Sequence, residues 1–309
     1  MDYIIFVVAL IALMYAADVL VKGALGIANN FGLSKGFVGL TIVSAGTSLP
    51  EFFVSLVAAI EESPDITIGN VVGSNIFNIL SILGPTALVF PLAIRSLSVK
   101  LEWPLMFAAT ILFYLFARDG EIDRLEAGFF AIAFVLFLYF MYQTSKNEAS
   151  VDEDNEAKQR KTIINILLII AGGSGLAFGS KYMVSSAVSI AQAWNVSERI
   201  IALTIISVGT SAPELVTNLV AAFRKETDIA VGNIIGSNIF NILMIIGFAG
   251  MAFPIPVSEQ ILSFDFIICI AALLVIFPFM ITGGKISRVE GAILSAGYIA
   301  YVVFLIYFR

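Results

Sequence analysis

The segment Leu40–Glu51 reads LTIVSAGTSLPE, and Leu203–Glu214 reads LTIISVGTSAPE. Both lie inside stretches that are otherwise apolar enough to dissolve in lipid. A carboxylate at membrane depth is costly. A proline one residue before it removes a helix hydrogen bond as well. A chain that carries this feature once has a local defect; a chain that carries it twice has a pattern.

The surroundings fix the class. The 309 residues are 59% hydrophobic and 13% charged, with a mean hydropathy of +0.98. Soluble domains are roughly half apolar and a quarter charged. The charges cluster between apolar runs of about 20 residues, the length that crosses a bilayer as a helix. The predicted fold is an all-α polytopic membrane protein with ten spans, near 3–30, 36–60, 66–92, 101–117, 125–143, 162–190, 197–223, 229–253, 262–282 and 289–308. Met1-Asp2 lacks a basic flank, so residues 3–30 are read as a first span and not as a removed signal.

The segment Lys146–Lys161, KNEASVDEDNEAKQRK, is the longest polar stretch. It divides the chain into 1–143, a linker loop at 144–161, and 162–309. Its acidic part, Val151–Glu156, reads as a solvated loop. Lys35, Arg95, Lys100, Lys146, Lys158, Arg160, Lys161, Arg224, Lys225, Lys285 and Arg288 fall on one side of the predicted spans. Only Arg118, Arg124, Arg199 and Arg309 fall on the other. The excess marks the cytoplasmic side, so the linker is expected inside the cell and both termini outside, in the cell membrane.

Exclusions follow from residue types. The single cysteine, Cys269, rules out an intrachain disulfide, and there is no histidine. The commonest transition-metal ligand and the usual neutral-pH base are therefore missing. A net charge of −6 argues against nucleic acid. No cofactor, enzymatic activity or obligate protein partner is implied; the partners expected are cations and the bilayer.

The halves repeat. A shift of 163 residues lays Glu51 on Glu214, and IGNVVGSNIFNIL (Ile68–Leu80) on VGNIIGSNIFNIL (Val231–Leu243). GEIDRLEA (Gly120–Ala127) is echoed more weakly by GKISRVEG (Gly284–Gly291). Five spans per half is an odd number, so the second copy crosses in the opposite sense. Inverted repeats of this kind build secondary transporters, with the substrate site near the midplane where the repeats meet.

The repeated residues are oxygen donors. Pro50 and Pro213 break helices 2 and 7, which frees carbonyls around Ser44 and Ser207. Such carbonyls are tolerated at membrane depth only where they face a cavity or a ligand. Gly73 and Gly236 permit a break or a close helix approach in helices 3 and 8. Thr47, Ser48, Thr210 and Ser211 add hydroxyls, and Glu51 and Glu214 add charge. On the following helices Asn70, Ser74 and Asn78, four apart, share one face, which is placed toward Glu51; Asn233, Ser237 and Asn241 are their counterparts. Oxygen-only sets suit hard cations such as calcium, magnesium and sodium.

A lone intramembrane Ser, Thr or Asn is commonly interhelical glue, and a lone Glu can be protonated and structural. Two complete copies of GTSxPE and GNxxGSNIFN are a poor fit to glue. Asp18 and Lys22, four apart, read as an ion pair. Lys181, which the repeat lays on Asp18, reads as a snorkelling charge.

At these residues the sequence resembles the cation/calcium exchanger superfamily, in particular the sodium/calcium exchanger family of prokaryotic type. GTSLPE and GTSAPE resemble its hallmark segments, and the two GNxxGSNIFN segments resemble their second parts. The resemblance implies that Glu51 and Glu214 are the central cation ligands. Thr47, Ser48, Ser74, Thr210, Ser211 and Ser237, with main-chain carbonyls at Ser44 and Ser207, would complete calcium and sodium sites, and Asn78 and Asn241 match the remaining positions. Potassium-dependent and some prokaryotic relatives carry Asp where Asn241 stands, which argues against potassium dependence. The large regulatory insertion of animal exchangers is missing.

The function expected is sodium/calcium antiport by alternating access. Its rivals are proton-coupled calcium antiport on the same glutamates, a passive channel, and an intramembrane serine hydrolase. A channel is usually lined by rings from several subunits, and a serine nucleophile needs a base that this chain does not place near Ser48 or Ser211.

Overall fold

A computed structural model describes residues 1–60, 64–149, 160–194 and 207–308. Apolar composition and continuous backbone hydrogen bonding produce long helices: α1 (Asp2–Phe31), α3 (Ile66–Val89), α4 (Ser98–Ala117), α5 (Arg124–Lys146), α6 (Thr162–Ala193), α8 (Thr227–Ala252), α9 (Ile261–Gly284) and α10 (Arg288–Tyr307). Each is long enough to cross a bilayer. The second span, α2, comes in two halves, Lys35–Thr47 and Leu49–Ile60, bent by 48°. The seventh, α7, is described as a single turn, Ser207–Thr210, followed by Ala212–Phe223. Its predicted start at 197 lies outside the described residues, as does the acidic stretch Val151–Glu156. Helical structure continues beyond α5 to Ala149, so the first part of the expected linker is helix.

Lipid and protein faces sort as the solvent demands. α3 and α8 are sheathed by other helices, with 72% and 94% of an apolar 18-residue stretch buried, whereas the same length of α10 has 11% buried and faces outward. The spans richest in polar residues are thus the ones withdrawn from lipid.

Four two-residue strands, which the sequence reading did not anticipate, tie the halves together. β1 (Leu92–Ala93) pairs antiparallel with β4 (Lys285–Ile286), and β2 (Glu121–Ile122) pairs with β3 (Ile255–Pro256). β1 follows the third span of the first half, and β4 the fourth span of the second. They share a membrane face only if the second half crosses in the opposite sense. The β2–β3 ribbon obeys the same rule on the opposite face. The ribbons therefore express the inverted topology in hydrogen bonds.

One correction concerns Gly73 and Gly236. Neither breaks its helix: they lie inside regular α-helix over Pro64–Phe77 and Thr227–Ile239. Glycine weakens a helix but keeps its N–H, so the hydrogen-bond ladder runs on. α3 and α8 lose α geometry later, in wide π-helical turns at Asn78–Ile82 and Phe240–Ile246. Such turns recur at functional sites.

Candidate cation site

Both prolines stand at bends in their helices. Each sits in the first turn of a new helix, where its missing N–H is no loss, two residues after one that leaves helical geometry. Ser48 has φ −85° and ψ 5°, and Ser211 has φ −90° and ψ 9°. The hinges thus turn both serines and both glutamates inward. Glu51 is 1% exposed and Glu214 2%.

Each hinge reaches across to the other repeat. The Ser48 hydroxyl donates to Glu214 Oε1 at 3.0 Å and lies 3.1 Å from Ser237 Oγ. The Ser211 hydroxyl donates to Glu51 Oε1 at 3.0 Å and lies 3.2 Å from Ser74 Oγ. A 163-residue shift converts one triplet into the other. The site is therefore crossed: a serine from one repeat holds the glutamate of its partner repeat.

The second oxygens are left over. Glu51 Oε2, Glu214 Oε2, Asn78 Oδ1 and Asn241 Oδ1 are buried and have no hydrogen-bond partner. Asn241 donates through Nδ2 to Asn75 Oδ1 at 3.0 Å, which commits its nitrogen and leaves its oxygen unpaired. An unpaired buried acceptor costs about 1–3 kcal/mol, and a charged one more. Such acceptors in both repeats, all oxygen, fit a hard cation. Among the described residues no group of three His, Cys, Asp or Glu side chains gathers to hold a metal. The charged side chains at the site are the two carboxylates, and its other donors are neutral oxygens.

The remaining residues are placed as follows. Thr47 is fully buried and its hydroxyl lies 3.3 Å from both Ser44 O and Asn233 Oδ1. The Ser44 carbonyl is not freed: it accepts the Ser48 N–H at 2.9 Å. Thr210 is half-buried in the turn that Ser207 opens. Asn70 donates to Glu51 O and to Ser55 Oγ, which puts the Asn70–Ser74 face against Glu51 as expected. Asn218, on the same helix as Glu214, donates to its carbonyl at 2.8 Å. Asn218 and Ser55 went unnoticed in the sequence because neither belongs to a repeated motif, although each lies four residues past its glutamate.

One end of the site is tightly closed. A Cβ on Gly236 would stand 2.2 Å from Leu40 O, and one on Gly232 2.5 Å from Gly36 O. The first half of α2 thus packs backbone to backbone against α8. Ion pairs gather at the same end. Lys35 meets Glu226 at 2.9 Å, and Arg95 meets buried Glu102 at 2.7 Å. Asp18 pairs with Lys22 at 2.7 Å, as the spacing predicts, and is also held by Arg224, a partner the sequence did not indicate.

An inverted repeat of ten helices around a buried pair of glutamates defines the class: a membrane ion antiporter. The chain belongs to the sodium/calcium exchanger family, whose profile, described as "Sodium/calcium exchanger protein", matches residues 1–143 and 164–307. It is 32% identical to the sodium/calcium exchanger MaX1 of Methanosarcina acetivorans over 99% of both chains. It is 39% identical to the protein CaxA of Alkalimonas amylolytica over 96% of both. Among solved structures it is similar to the sodium-calcium exchanger NCX_Mj, with a TM-score of 0.84 at 28% identity, covering 100% of this chain and 98% of that one. These relatives are transporters and not enzymes, and the ions they move are substrates, so no cofactor is involved.

Proposed function

We propose that the chain exchanges sodium for calcium across the cell membrane by alternating access. Glu51 and Glu214 would be the central ligands. Thr47, Ser48, Ser74, Asn78, Thr210, Ser211, Ser237 and Asn241 would surround them, with the main-chain carbonyl of Ser207. The observation that carries the reading is the crossed pair of glutamates, each with one oxygen held by a serine of the other repeat and one oxygen unpaired. Two buried carboxylates beside each other repel, and a divalent cation cancels both charges. Sodium ions filling the same oxygens would displace it, which couples the two fluxes.

Access would switch at the hinges, with residues 1–143 and 162–309 as the two repeats and 144–161 between them. The closed end carries Lys35, Arg95 and Arg224, so the positive-inside rule makes it cytoplasmic. The linker then lies inside the cell and both termini outside.

The test is calcium uptake into proteoliposomes under imposed sodium, proton or potassium gradients, each alone. Uptake driven by sodium supports the reading. Uptake driven by a pH gradient with sodium absent would assign proton coupling instead. Flux without any counter-ion requirement would assign a channel.

A further inference from the structure

The prolines that bend α2 and α7 each free one carbonyl, four residues earlier: Gly46 O and Gly209 O. The repeat makes these two carbonyls equivalent, yet their surroundings differ. The hydroxyl of Ser180, on α6, donates to Gly209 O at 2.5 Å. Ser180 is 5% exposed. One turn further along α6, Val184 closes on the same hinge: a Cβ on Gly209 would stand 2.2 Å from Val184 Cγ2. α6 is thus both packed against and hydrogen-bonded to the bend in α7.

Among the described residues the first repeat has no such bond. Counting back 163 residues from Ser180 gives Ala17, which is fully buried and has no hydroxyl. Among the described residues no side chain donates to Gly46 O. α6 passes this hinge too, at Gly173, where a Cβ would lie 3.6 Å from Gly46 O. Gly173 and Ser180 are two turns apart, so they occupy one face of α6. One helix therefore touches both hinge carbonyls and ties down only one.

We propose that Ser180 is a positioning residue for exchange: its hydroxyl fixes the bend of α7 and holds the Ser207–Thr210 turn in the geometry that sodium uses. The inference rests on the sodium/calcium reading of the site. A carbonyl left without a donor at membrane depth must find another partner. The Ser180 bond supplies that partner from outside the cation site and orders the turn before an ion arrives. Preorganised ligands bind more tightly because ordering is not charged against binding. Calcium, held chiefly by Glu51 and Glu214, depends on the turn less than sodium does.

The experiment compares Ser180→Ala, Ser180→Cys and Ser180→Thr in the full-length protein. Two readouts are taken: amide hydrogen exchange in detergent, and calcium–sodium exchange in proteoliposomes, normalised to folded protein. In Ser180→Ala, hydrogen exchange over residues 207–215 rises while that over 44–52 stays at the wild-type level. Sodium half-saturation rises about threefold or more and calcium half-saturation moves less than about twofold, because only the preorganised turn is lost. Ser180→Cys, a weak donor, follows Ala; Ser180→Thr stays with wild type.

Unchanged hydrogen exchange at 207–215 in Ser180→Ala would overturn the proposal whatever transport does. So would a fall in maximal rate with both half-saturations unmoved, or equal loosening of both hinges, since each marks a purely structural role. If wild type itself shows no sodium-driven flux, the functional reading fails. The hydrogen-exchange result still decides whether Ser180 orders the hinge.

Discussion

Glu51→Gln separates the charge of the carboxylate from its shape. In the structure Glu51 Oε1 accepts the Ser211 hydroxyl at 3.0 Å, while Oε2 is buried and unpaired. A glutamine keeps the first oxygen and loses the second as a ligand. A carboxylate oxygen about 2.4 Å from Ca²⁺ contributes roughly 14 kcal/mol of attraction at an effective dielectric of about 20. Most of that offsets dehydration. The net cost of removing one partner of a buried charge pair is about 3–5 kcal/mol, or about two to four powers of ten in calcium affinity. The assay is thermal unfolding of the purified protein with and without calcium. At calcium about 100 times the dissociation constant, wild type gains about 2.7 kcal/mol of stability. A variant weakened a hundredfold gains about 0.4 kcal/mol. Without calcium the order reverses: removing one of two neighbouring buried charges makes the variant as stable as wild type or more so. A full calcium-induced shift in Glu51→Gln would refute the assignment of Glu51 as a ligand. So would a variant that unfolds without calcium, since the side chain would then be structural.

Other outcomes follow from the same geometry. Ser48→Ala removes the hydrogen bond to Glu214 and the contact with Ser237. At about 1 kcal/mol per lost bond it weakens calcium binding by about fivefold to thirtyfold, and Ser211→Ala matches it through Glu51 and Ser74; a difference of more than tenfold between the two, measured by calcium titration, would contradict the crossed symmetry. Gly236→Ala forces a methyl against Leu40 O and costs about 3 kcal/mol or more, read as a lowered melting temperature. Gly73→Ala meets no atom within 4 Å among the described residues, so it folds normally. Under the proposed alternating access it nevertheless blocks transport, because Gly73 would take the part of Gly236 when the other end closes; normal flux in Gly73→Ala would count against symmetric alternating access. Arg224→Gln releases Asp18 at the closed end. The pair is partly exposed, so the effect is at most about 1 kcal/mol and fades as salt rises, seen as a rate difference between low-salt and high-salt assays.

Much of the site was legible because its chemistry is local. A proline must free the carbonyl four residues earlier, and spacing alone puts a serine and a glutamate beside that hinge. Asn70 and Ser74 share a helix face wherever the helix goes. For Gly73 and Gly236 the reading left a break and a close helix approach both open. Gly73 and Gly236 look like breakers, but a glycine leaves the hydrogen-bond ladder intact. What it offers depends on what lies opposite: for Gly236 the backbone of Leu40, and for Gly73 nothing within reach among the described residues. The two strand ribbons were invisible because two residues carry no periodicity.

The sequence by itself determined the membrane class, the ten spans, the inverted repeat and the oxygen donors, since these depend on hydropathy, parity and residue type. Only the tertiary structure decided the crossing, in which Ser48 serves Glu214 and Ser211 serves Glu51. It also decided which end is closed, and that Ser180 reaches one hinge while Ala17 leaves the other without a side-chain donor among the described residues. Each of these is a distance between elements far apart in the chain. A repeat makes the two halves equivalent in composition, but a folded molecule occupies one state at a time, and in that state the equivalent residues have different neighbours.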